Sequence, residues 1–151
     1  MQTHENQSSS AVESTSSAHI KRYQVSEPFS DFEVTLEVDH TILTPERAKE
    51  INEFRGSPEE RIEAENGDEV KAVIRMAGQF IVRMMLESGW GVSFRTRQVD
   101  QGHTWSTKFR SEEGWGGEDD THFGWCGIRV IGADVEAPGF DEFQLEELPN
   151  E

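Results

Sequence analysis

His122 and Cys126 stand four residues apart, with Asp119 and Asp120 just before them and His103 upstream. These are the residue types of thiol catalysis and of metal binding. A cysteine nucleophile needs a histidine within hydrogen-bond reach and a third group to orient that histidine. On a strand, positions i and i+4 share a face but lie ~13 Å apart at ~3.3 Å rise per residue, so the pair meets only if Gly124 folds the chain back. Cys126 also directly precedes the apolar run GIRVIGADV, a setting for a small buried side chain. As metal ligands the set is mismatched, since carboxylates suit Mg²⁺ or Ca²⁺ while imidazole and thiolate suit Zn²⁺.

The sequence contains no D-x-D-x-D-G, H-E-x-x-H or paired C-x-x-C pattern, and no G-x-x-x-x-G-K-[ST] phosphate loop. The glycines at 114, 116, 117, 124 and 127 do not follow a strand and open a helix, as a dinucleotide loop would. The expectation is therefore no catalytic residue, no metal site and no cofactor. A small metal- or thiol-dependent enzyme using His103, Asp119, His122 and Cys126 is the alternative.

What the same stretch does offer is surface. From Glu112 onward twelve acids face a lone Arg129, and aromatic residues are interleaved with them. Dense carboxylates around aromatic anchors suit a basic protein groove, because charge speeds encounter and aromatics carry binding energy. The candidate partner-binding residues are Glu112, Glu113, Trp115, Glu118, Asp119, Asp120, Phe123 and Trp125. The formal charge of -16, from 30 Asp and Glu against 14 Lys and Arg, argues against direct binding of nucleic acid or an anionic membrane. The competing reading is an ordinary acidic surface with both tryptophans buried.

The elements that must position this stretch follow from periodicity. Residues 1–18, rich in Ser, Thr, Gln and Glu, have almost nothing to bury and read as a disordered tail ahead of a single domain spanning 19–151. They lack the basic start and apolar run of a signal peptide, and no stretch of eighteen apolar residues occurs, so a cytoplasmic, soluble protein is expected. With one cysteine, no intramolecular disulfide can form.

HIKRYQVSE and the strictly alternating DFEVTLEVDH, separated by a turn at EPFS, predict a hairpin. Thr44 followed by Pro45 starts a helix that Gly56 ends. Ser57 and Pro58 repeat the signal for a short helix, and Asp68 caps a long one that Gly89 stops. In the long helix Val70, Val73, Ile74, Ala77, Phe80, Ile81, Met84 and Met85 recur at helical spacing, so it forms the core. Val92 to Gln98, a turn at Asp100 to Gly102, and Thr104 to Phe109 predict a second hairpin. GIRVIGADV reads as a strand, and FDEFQLEEL as a last edge strand or short helix. The fold class is α+β: an antiparallel sheet of two hairpins plus C-terminal strands, with three helices on one face.

Three stretches give the chain a family likeness: Glu37 to His40 (E-V-D-H), Ile51 to Phe54 (I-N-x-F), and the later EGW…GI block. Over roughly residues 20 to 148 it resembles the small proteins grouped as domain of unknown function 2528. Gly116 stands where typical members have proline, and the loop before Gly127 is longer and more aromatic. The resemblance implies no assigned activity and no transferable catalytic residue. It also implies an accessory protein of a bacteriophage or mobile element. The expected function is then a non-enzymatic inhibitor or modulator of a basic, nucleic-acid-handling host protein, such as a CRISPR effector or restriction nuclease, including by DNA mimicry. A homodimeric scaffold, pairing through the edge of the second hairpin with Arg95 and Arg97 meeting acids of its partner, is a further alternative.

Overall fold

The computed structural model describes residues 19–89 and 91–150. The stretch 1–18, expected as a disordered tail, lies outside them. Among the described residues β1 (Ile20–Glu27) and β2 (Phe32–Asp39) form the expected hairpin, with Tyr23 opposite Leu36 and Val25 opposite Val34. Helices α1 (Pro45–Glu53), α2 (Pro58–Ala64) and α3 (Glu69–Glu87) follow, then β3 (Val92–Phe94), α4 (Val99–Arg110) and β4 (Ile128–Val135). The sheet runs β1-β2-β4-β3, with every pair antiparallel, so the fold is α+β.

Two helix starts form as their residues require. Thr44 Oγ1 accepts from the Arg47 N–H at 3.2 Å, and the Asp68 carboxylate from the Lys71 N–H at 3.0 Å. Ser57 does not cap α2: its backbone is left-handed, with φ 62°, and its hydroxyl makes no cap bond. The Asn52 side chain ties that junction instead, as it donates to the Pro58 carbonyl and the Glu69 carboxylate and accepts from Arg61 Nε at 2.6 Å.

The core lies between one face of the sheet and α3. Val34, Leu36, Val38, Ile128 and Val130 meet Val73, Ala77, Ile81 and Met85, all essentially inaccessible. Between Thr35 and Leu36 the β2–β4 register shifts and leaves Ile131 unpaired, a bulge that moves the inward positions of β4 from Ile128 and Val130 to Ala133 and Val135. The opposite face is polar, and Glu37 there pairs with both Arg22 and Arg129.

The second hairpin does not form. Strand β3 ends at Phe94, the Gln98 side chain turns back to accept from the Arg95 N–H at 2.9 Å, and Val99 to Arg110 is helical. A helix wins because β4 needs an edge cover beyond Phe94. Ser106 Oγ accepts from the Val130 N–H at 2.8 Å and donates to its carbonyl, and Gly102 lets the helix close in: a Cβ there would meet the Val130 oxygen at 2.7 Å. The glycine that marks a turn in the sequence is thus a point of backbone contact. The hairpin through which an edge-pairing dimer was expected is thus replaced by a three-residue edge strand and a helix. At the C-terminal end β4 is the last strand, and FDEFQLEEL yields one 3-10 turn, Phe140–Glu142.

Candidate functional site

The acidic, aromatic stretch becomes a long loop joining α4 to β4, and four arginines hold it. Arg110, at the end of α4, is 1% exposed and reaches inward from the last helical turn. Its Nε and Nη2 donate to the two Glu118 oxygens at 2.8 and 3.3 Å, and its Nη1 to the carbonyls of His122 and Ile128. The Arg110 carbonyl accepts from the Gly117 N–H. Gly124 packs on the Arg110 side chain with φ +68°, where a Cβ would lie 2.5 Å from Cδ, so both the space and the backbone demand glycine.

The other three arginines each meet an aromatic of the loop. Arg55 donates to the Glu113 carbonyl at 2.6 Å and lies near the Phe80 and Trp115 rings. Arg47 donates to the Trp125 carbonyl and stacks over its indole at 4.2 Å. Arg129 covers the Phe123 ring at 5.1 Å. Such stacked pairs are each worth roughly 0.5–2 kcal/mol, more where water is excluded.

These contacts sort the eight candidate binding residues. Trp115 is wholly buried, packed 4.6 Å from Phe109 and 5.9 Å from Phe80, so it is a core residue and no anchor for a partner. Its indole N–H has no hydrogen-bond partner among the described residues. Phe123 is also buried and Trp125 half-buried. Glu118 is committed to Arg110, with its side chain 34% exposed. Glu112, Glu113, Asp119 and Asp120 point to solvent. The Asp119 carboxylate accepts from the Thr121 N–H and hydroxyl, which holds it below its ordinary range.

The histidine and cysteine separate. Cys126 is inaccessible, and burial pushes its thiol up to about 11, the opposite of an activated nucleophile. His122 and His103 instead share the wall of a 240 Å³ cleft with Thr96, Gln98, Ser106 and Arg129. Neither imidazole is hydrogen-bonded among the described residues. No three His, Cys, Asp or Glu side chains among those residues are grouped to hold a metal ion.

The stretches behind the family likeness also have structural work. In E-V-D-H, Glu37 holds two arginines, Val38 is core, Asp39 caps the turn through Thr41, and His40 bonds Tyr23. In I-N-x-F, Ile51 is core and Asn52 joins three helices. A family model described as protein of unknown function (DUF2528) matches residues 33–145. The chain belongs to this family. No curated protein and no solved structure matches it. The matched segment runs from β2 to the C-terminal side of the 3-10 turn, so the clasped loop lies inside it.

Sequence reasoning missed the contacts made by Arg110, Asn52, Gly102 and Ser106. Only spacing hinted at three of them: Gly102, Ser106 and Arg110 recur every four residues, one face of a helix.

Proposed function

We propose that this protein is a non-enzymatic acidic binding protein that docks on a basic surface of a nucleic-acid-handling protein. One observation carries the reading. Five carboxylates fall between positions 112 and 120, on a loop fixed by buried Arg110, and four of them, Glu112, Glu113, Asp119 and Asp120, face out. Charges fixed in advance lose little entropy on binding, and an acidic patch on a molecule of net charge -16 draws a basic partner from a distance.

In its fuller form the reading is of an accessory protein of a phage or mobile element, acting in the bacterial cytoplasm. Its carboxylates would occupy the phosphate path of a CRISPR effector or restriction nuclease, as a DNA mimic does. The aromatics contribute rigidity and not contact. The test is binding of the purified protein to purified effectors of both kinds across a salt series, with duplex DNA as competitor. Binding should weaken with salt, compete with DNA and fall at least about tenfold when Glu112, Glu113, Asp119 and Asp120 become their amides. No binding at low salt would end the proposal.

The shared cleft of His103 and His122 favours a second reading, a small enzyme working through imidazole. The burial of Cys126 opposes its thiol version. Loss of a measured hydrolytic activity in both His103→Ala and His122→Ala would support it.

A further inference from the structure

We propose that the C-terminal segment Phe140 to Leu148 of one copy docks along the furrow between β1 and α3 of a second copy. Strand β1 ends the sheet, so its outer edge presents backbone groups that no strand pairs among the described residues. Such an edge accepts an added strand. Beside it two adjoining hollows of about 560 and 450 Å³ share Val25, Ser26 and Arg75. The apolar side chains of the larger include Val25, Phe32, Ala72, Met76, Val82 and Leu86.

Arg61, Lys71 and Arg75 line these hollows. The carboxylates among them are Glu27, Glu60 and Glu65. Glu27 is taken up by the N–H groups of Phe29 and Ser30, and Glu65 by Arg75 at 2.9 Å. Lys71 makes no ion pair among the described residues.

The segment after β4 has the matching chemistry. Phe140 is 95% exposed, Phe143 68%, Leu145 100% and Leu148 72%, and they alternate with Asp141, Glu142, Glu146 and Glu147. In an extended chain Phe143, Leu145 and Glu147 share one face, two apolar anchors followed by a carboxylate. That face fits an apolar floor with Lys71 beside it.

The second copy is the occupant because the segment is turned out from its own body. A turn at Phe140–Glu142, closed by the Glu142 carboxylate on the Gly139 N–H at 2.8 Å, leaves all four apolar side chains uncovered. Reciprocal exchange about a twofold axis covers two segments and two furrows at once and closes the assembly.

The experiment combines sedimentation equilibrium with a peptide titration. The full chain should be a dimer, and a chain ending at Glu136, or carrying Phe143→Asp with Leu145→Asp, should be a monomer. Those changes lie on exposed positions outside the core, so they test contact and not folding. A labelled peptide of residues 137–150 should bind the shortened chain, and Lys71→Glu with Arg75→Glu should weaken that binding by about tenfold or more. A monomeric full chain overturns the proposal, whether or not the peptide binds, since peptide binding with a monomer means docking on its own body. A dimer that survives removal of the segment, or no peptide binding, overturns it as well.

Discussion

Arg110 and Glu118 form a two-pronged ion pair, Nε to Oε1 at 2.8 Å and Nη2 to Oε2 at 3.3 Å, around which the whole α4–β4 loop closes. Breaking one partner of a buried pair typically costs about 3–5 kcal/mol, and Arg110 also satisfies two carbonyls. Arg110→Met should therefore lose roughly that much stability in urea unfolding. Glu118→Gln, at a partly solvated carboxylate, should lose about 1–2 kcal/mol after solvent screening is allowed for. Equal losses from the two variants would mean that the carbonyl contacts contribute nothing.

The seam between α4 and β4 predicts a second pair of effects. Ser106→Ala leaves the buried Val130 N–H unsatisfied, which should cost about 1–3 kcal/mol. Gly102→Ala raises helix propensity by about 1 kcal/mol yet forces α4 off the strand, an overpacking cost of about 1–3 kcal/mol. Net stabilisation of Gly102→Ala in a denaturant melt would contradict the close approach.

His40 and Tyr23 make stability depend on pH. The Tyr23 hydroxyl lies 2.7 Å from His40 Nε2, and burial, aided by Lys21, pushes the imidazole below its ordinary 6.5. The fold thus disfavours the protonated ring, and the unfolded chain takes up more protons as pH falls through that value. Stability should be full above it and decline below, so the urea midpoint should be higher at about pH 8 than at about pH 5. His40→Gln should flatten part of that slope, and an unchanged slope would remove His40 as its source.

Cys126 should be inert in the native protein. With no accessible surface and a thiol pushed up to about 11, it should react with an aromatic disulfide reagent only as fast as the chain opens. Rapid modification in native buffer, with full release after denaturation as the reference, would show that the site opens locally.

Features governed by near neighbours were legible in the sequence. The alternation of Phe32 to Val38, the caps Thr44 and Asp68, and the spacing of Val73, Ala77 and Ile81 are local patterns, because strand pleat, helix pitch and capping act over a few residues. The chain alone therefore determined the first hairpin, α1, α3, the α+β class and the acidic surface.

Only the tertiary structure decided what the second half of the chain does with its groups. Gly102 reads as a turn until β4 lies against it, and α4 is helical because a strand edge needs Ser106 and Arg110 as cover. Trp115 and Phe123 look like anchors for a partner until Arg55 and Arg129, from other elements, are found against them. Burial and cation stacking join residues of different elements, Arg55 and Trp115 lying 60 positions apart, and no short-range pattern records which arginine will meet which ring.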